Sequence, residues 1–417
     1  MFAWCTGVVR ILAVAVLAAV AVAPAAAPSA SAKEGVRPLL GIVWKAKKPQ
    51  LARLDPATLA PLGSGVPVPG AVGTWSFSPD GGQVALASEA PIRIRVLDVG
   101  EMRQVAAMKL TGAGNVIDLA WLRPDRLLVV HTRPDGARIV WIDPQARRVL
   151  KRAVLDVAPG PVAAAGDTVA ALVPPEDGVG TARLVLASAG GSLREVALPA
   201  IPIGLWLPPT GGTFERVVPG LALDAAGRHA YVVGTNGVVA EVDIDSLAVK
   251  NHVLGRSLAK AMNGEALDAR WLGNGMLAVA GASYSASVDA QGGETQSSTP
   301  LGLRLIDVTT WAERTVDRGA SGFTLASGSL LAYGSSWSSS AGVQKVAGMG
   351  LAAYGADGAQ RYRLLAGQSV GMVQTDGARA YAWLDGPTPF HVAVVDLARA
   401  SVEREVHLPP TALLADF

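Results

Sequence analysis

Trp75-Ser76-Phe77-Ser78-Pro79-Asp80-Gly81-Gly82-Gln83-Val84-Ala85-Leu86-Ala87 is the stretch on which the fold turns. Two short β-prone runs meet at Pro79-Asp80-Gly81. Proline presets φ and glycine accepts φ > 0, so the junction is a tight hairpin. Two more runs follow, 92–97 and 102–110, which makes four strands in succession. The same four-part pattern returns at 220–223, 229–233, 238–242 and 247–254, with its first turn at Asp224 to Gly227. No amphipathic helix interrupts it.

Outward from these two units, the clearest marker is an apolar strand ending in aspartate. It reads Leu54-Asp55, Leu97-Asp98, Ile142-Asp143, Val242-Asp243, Ile306-Asp307 and Val395-Asp396. Ser188 and Tyr354-Gly355 occupy the two positions where the spacing calls for another. One aspartate per unit at a strand end reads as an Asx-type turn cap rather than a metal ligand. A period of roughly 40–50 residues in an all-β chain predicts a β-propeller. Eight four-stranded blades are preferred to seven. The unit beginning near Leu39 lacks an innermost strand, whereas a spare apolar strand remains at 411–417. Pairing that strand beside 40–44 closes the ring with both termini and leaves no open sheet edge.

Phe77-Ser78-Pro79-Asp80-Gly81 with Val84-Ala85-Leu86 resembles the TolB-type, WD40-like propeller repeat, and 223–247 resembles the bacterial surface-layer repeats named for the tetrapeptide YVTN. The resemblance implies a bacterial extracytoplasmic propeller and says almost nothing of its ligand. Trp-Asp and Gly-His dipeptides are absent, unlike a typical WD40 sequence.

The organisation ahead of the repeats fits export. Arg10, the apolar run 11–22, Pro24 and Ala30-Ser31-Ala32 read as a secretory signal cleaved near Ala32, with 33–38 a short linker and 39–417 a single propeller domain. The run is too short for a stable membrane span. Cys5, the one cysteine of the chain, precedes that run, so it is not a lipobox cysteine, and it leaves with the signal. The predicted location is secreted, periplasmic or cell-surface. The chain carries 36 Lys and Arg against 34 Asp and Glu without a basic stripe, which argues against nucleic acid. Lys45, Lys47 and Lys48 read as a solvated loop.

No catalytic or cofactor set is legible, and no cofactor is expected. Asp55-Pro56-Ala57-Thr58-Leu59 has a faint likeness to a quinoprotein docking motif but lacks its tryptophan. The five histidines, His131, His229, His252, His391 and His407, read as isolated residues rather than haem or copper ligands. Trp75, Trp121 and Trp271 recur on innermost strands and read as packing between blades. Apparent insertions at 173–181, 199–219, 283–300 and 335–346 all fall on the face shared by the second-to-third and fourth-to-first strand connections. Trp206, Phe214, Tyr284, Glu294 and Trp337 on these insertions form the candidate binding face. The expected function is a non-enzymatic scaffold for a protein, glycan or envelope component. The alternative is a lactonase- or lyase-like enzyme with convergent residues at the channel mouth.

Overall fold

The computed structural model describes residues 38–45, 48–68, 72–89, 91–111, 114–206, 215–255, 264–288, 294–340, 343–385, 391–407 and 412–414. The signal segment and Phe214 lie outside them. All regular structure among the described residues is β, with no helix.

Five sheets have four strands each. The first joins β1 (Leu40–Lys45), β2 (Lys48–Leu54) and β3 (Pro61–Pro67); the second runs β4 (Val72–Phe77), β5 (Gln83–Ser88), β6 (Arg93–Asp98) and β7 (Arg103–Lys109). The third is β8 (Val116–Arg123), β9 (Arg126–Arg133), β10 (Gly136–Asp143) and β11 (Arg148–Leu155). A further set is β12 (Val162–Ala165), β13 (Thr168–Val173), β14 (Gly178–Ser188) and β15 (Leu193–Trp206), followed by β16 (Glu215–Val218). Next come β17 (Gly220–Leu223), β18 (His229–Val233), β19 (Val238–Asp243) and β20 (Val249–Val253), again a separate sheet. Then follow β21 (Gly264–Gly273), β22 (Met276–Val288), β23 (Glu294–Pro300), β24 (Leu303–Asp307) and β25 (Glu313–Asp317). After these come β26 (Gly322–Ala326), β27 (Ser329–Ser340), β28 (Val343–Gly355) and β29 (Gln360–Leu364). The last separate sheet is β30 (Val370–Thr375), β31 (Arg379–Leu384), β32 (His391–Asp396) and β33 (Ser401–His407). β34 (Ala412–Leu414) returns to the first sheet, antiparallel to β1, with Leu40 opposite Leu414 and Ile42 opposite Ala412.

Both faces of a strand are buried here, which explains the nearly continuous apolar runs. On β5, Val84 and Leu86 pack with Leu40, Leu51 and Leu414 of the first sheet. Ala85 and Ala87, on the other face, pack with Leu119, Trp121 and Val129 of the third. The innermost-strand tryptophans serve this packing: Trp121 is buried between the second and third sheets, and Trp271 stacks on Tyr231 at 5.4 Å with planes 2° apart. Polar hooks repeat the pattern outside. Lys151 Nζ donates to the Gly191 carbonyl at 2.6 Å, Arg147 to that of Val105 at 2.8 Å, and Arg194 to that of Asp245 at 2.9 Å.

The recurring aspartates are turn caps. Asp55 accepts from the Thr58 amide at 2.8 Å, Asp98 from Glu101 at 2.7 Å, Asp143 from Ala146 at 2.8 Å, Asp243 from Ser246 at 2.8 Å, Asp307 from Thr309 at 2.8 Å and Asp396 from Arg399 at 2.8 Å. Four positions after each aspartate the chain adopts positive φ, at Leu59, Met102, Arg147, Leu247, Trp311 and Ala400.

Candidate functional site

The four apparent insertions are largely strand. β14, β15, β16, β21, β22, β23, β27 and β28 run past their own four-strand sets and join edge to edge within a fourteen-stranded sheet. Their pairing defines one cross-strand row: Gly178, Leu205, Arg216, Gly264, Tyr284, Ser298, Trp337 and Val346. The β16–β21 contact is parallel and the others antiparallel. Gly204 makes one junction possible. Its φ is +141°, and a Cβ there would come within 2.1 Å of the Gly178 carbonyl oxygen.

Of the five residues expected on a binding face, this row unites two. Tyr284 and Trp337 flank Ser298, two strand spacings or about 10 Å apart. Trp206 belongs to the neighbouring row, opposite Glu215, and Glu294 pairs with Val288 at the far end of the β22–β23 ladder. Phe214 falls outside the described residues.

The two faces of the extension differ in exposure. Along β23 and β27 the face bearing Tyr284 and Trp337 is the more covered: both aromatics, Gln296 and Ser339 are half-buried and Ser298 is buried, whereas Gln344 and Val346 at its β28 end are exposed. The opposite face carries hydroxyls in register, with Ser285, Ser297 and Ser338 in one row leading to Lys345. Thr295 and Ser340 stand in another row leading to Val343. Thr295, Ser338, Ser340, Val343 and Lys345 are exposed. Reading the insertions for aromatics missed this surface. The signal was the period-two serine in Ser283-Tyr284-Ser285-Ala286-Ser287 and Ser336-Trp337-Ser338-Ser339-Ser340, which is strand periodicity.

At the base of the same extension, Glu265 on β21 is directly opposite Ser283 on β22. Burial pushes the Glu265 carboxyl up, and a hydrogen bond with the Thr235 side chain pulls it partly back. Glu265, Ser283 and Thr235 are all buried. The group could hold or exchange a proton, and sequence reading did not single it out. Among the described residues no three His, Cys, Asp or Glu side chains gather as a metal-binding group.

No protein-family model matches the chain, and no curated protein matches it in sequence. Solved structures do match in shape. Dihydro-heme d1 dehydrogenase NirN, solved in complex with DHE, is 14% identical with a TM-score of 0.58, over 91% of this chain and 75% of that one. The C-terminal WD40 domain of Sif2 is 10% identical with a TM-score of 0.50, over 87% of this chain and 93% of that one. At these identities the likeness is one of fold alone. The chain is an all-β protein with a β-propeller, WD40-like fold. No helix among the described residues is long and apolar enough to cross a membrane.

Proposed function

We propose that the protein is an exported, non-enzymatic, eight-bladed propeller that binds a partner through the face built by the extended strands. Support for eight blades comes from the core. Among the described residues, eight apolar clusters each straddle two successive four-strand sets, and the last joins Tyr381, Val392 and Val394 to Ala52, Leu54 and Leu413. That cluster and the β1–β34 pairing support a ring closed by strands from both ends of the described chain. Export rests on the signal-like segment at 1–32, and a bacterial TolB- or YVTN-type kinship rests on the repeats at 77–86 and 223–247.

One observation carries the binding role: a continuous sheet replaces what would otherwise be separate loops on this face. Strands fixed in one ladder present their side chains at constant spacing, which preorganises a binding surface. The hydroxyl rows ending at Ser338 and Ser340 are uncharged, apart from Lys345 beside them. Such a face suits a neutral hydrogen-bonding partner, a glycan of the cell envelope, better than nucleic acid or an acidic lipid surface. The test is cosedimentation of the purified protein with isolated cell-wall polysaccharide, comparing wild type with Ser338→Arg/Ser340→Arg. Loss of cosedimentation in the variant is expected; equal cosedimentation overturns the reading.

A second reading, a lactonase- or lyase-like enzyme, rests on Glu265, whose buried carboxyl beside Ser283 has the raised proton affinity of a general acid or base. Lactone hydrolysis that disappears in Glu265→Gln would favour it. Equal rates in both proteins would end it.

A further inference from the structure

The five histidines are not equivalent. His131 is fully buried, with Nδ1 at 3.0 Å from the Thr132 carbonyl oxygen. His229 lies 3.3 Å from Asp224, and His252 is held by Glu241 at 3.0 Å and stacked on Trp311 at 3.6 Å. His391 and His407 differ from all three. His391 opens β32, His407 closes β33, and they are directly opposite in the antiparallel ladder. Their ring centroids are 3.9 Å apart with planes inclined by 69°. His391 is half-buried and His407 exposed. Among the described residues none of the four ring nitrogens of His391 and His407 is engaged by a carboxylate or carbonyl.

Two imidazoles facing one another across a ladder make a pair of nitrogen donors on a rigid frame. Metal–nitrogen bonds of about 2.0–2.1 Å in a cis arrangement set the two centroids about 5 Å apart. The observed pair therefore needs to open by about 1 Å, which a small χ rotation of the exposed His407 supplies. Opening also relieves the crowding of the two rings. We propose that His391 and His407 form a two-imidazole site for a borderline divalent transition metal. By the order of stability of nitrogen-ligated first-row ions, Cu(II) binds most tightly, ahead of Ni(II) and Zn(II), with Mn(II) weakest. Two protein donors leave the other coordination positions to water or to a ligand brought by a partner. Such a site is open rather than structural. It stands independently of the reading given for the hydroxyl face.

The test uses the full-length protein stripped with chelator and titrated with CuCl2, followed by calorimetry and by electron paramagnetic resonance. One Cu(II) should bind at micromolar concentration with hyperfine structure from two imidazole nitrogens. His391→Asn and His407→Asn should each weaken it by about tenfold or more, at an unchanged melting temperature. His407 is exposed on an outermost strand, so its variant keeps the fold even if that at the half-buried His391 does not. No binding by wild type, or the same affinity and spectrum in His407→Asn, overturns the site.

Discussion

Asp317, the last residue of β25, accepts a hydrogen bond from Arg363 of β29 at 2.6 Å, so one four-strand set is fastened to the next by a buried carboxylate. Tyr354 Oη donates to the same carboxylate oxygen, and the Gly319 amide donates to the other at 2.8 Å. Burial alone would raise the Asp317 carboxyl, but the donors from Tyr354, Gly319 and Arg363 outweigh it and hold the group below its ordinary value. A depressed folded value stabilises the protein fully above the ordinary carboxylate range. That contribution fades as pH falls through the folded value. Asp317→Ala should cost about 3 kcal/mol by chemical denaturation at neutral pH, and Tyr354→Phe about 1 kcal/mol. The Asp317→Ala deficit should shrink at acid pH; a deficit constant with pH would refute the account.

Asp118 on β8 behaves in the opposite sense. It is buried, its one hydrogen bond among the described residues comes from the Leu119 amide at 2.8 Å, and burial pushes it up to about 7. The folded state therefore holds a proton that the unfolded chain has released, and stability falls as pH rises from the ordinary carboxylate value to about 7. Above that it levels off. Asp118→Asn should flatten this slope, read as denaturation midpoints across the window. A slope unchanged in the variant would show that another group carries it.

The turn four residues beyond each repeat aspartate places a side chain in the left-handed region, at a cost of roughly 1–2 kcal/mol for a residue other than glycine. At Ala400, φ is 51° and the side chain is only a methyl group, so little packing is lost on its removal. Ala400→Gly should raise stability by about 0.5–1 kcal/mol, net of glycine's extra chain entropy. A lower melting temperature would contradict it.

Val343 and Val346 lie on the β28 end of the extended sheet, 62% and 49% exposed, and β28 has no partner along its outer edge there among the described residues. Exposed apolar edges associate with other edges. Val343→Lys/Val346→Lys should reduce concentration-dependent light scattering without moving the melting temperature. Unchanged scattering would mean that the edge is covered.

Much of this fold was legible because it is local. Alternation and turn chemistry located β17 and β18 to the residue, and the aspartate turns were read as caps from their position alone. The spare strand at the end of the repeats was also legible, since an unpaired apolar strand needs an edge. What escaped were relationships between distant segments. The inserted regions read as loops because Ser, Gly and Pro dominate them. Their pairing with one another, β16 on β21 and β23 on β27, depends on neighbours that no single stretch reveals. For the same reason Tyr284 and Trp337 read as parts of a binding face, although both are half-buried. His391 and His407 looked isolated because sixteen positions separate them in sequence, while the β32–β33 register sets them opposite each other.

The parallel contact between β16 and β21 makes β17–β20 a crossover, a whole four-stranded sheet whose two chain ends lie side by side in a different sheet. Val218 and Ala266 are neighbours across that seam. A peptide bond severed in a turn between β17 and β20 would therefore not free either fragment, because the seam and the surrounding cores still bind both. The nicked protein should elute from a sizing column as one particle and separate into two bands only after denaturation. Such a site is where a foreign sequence could be inserted, or new chain ends opened, without dismantling the molecule.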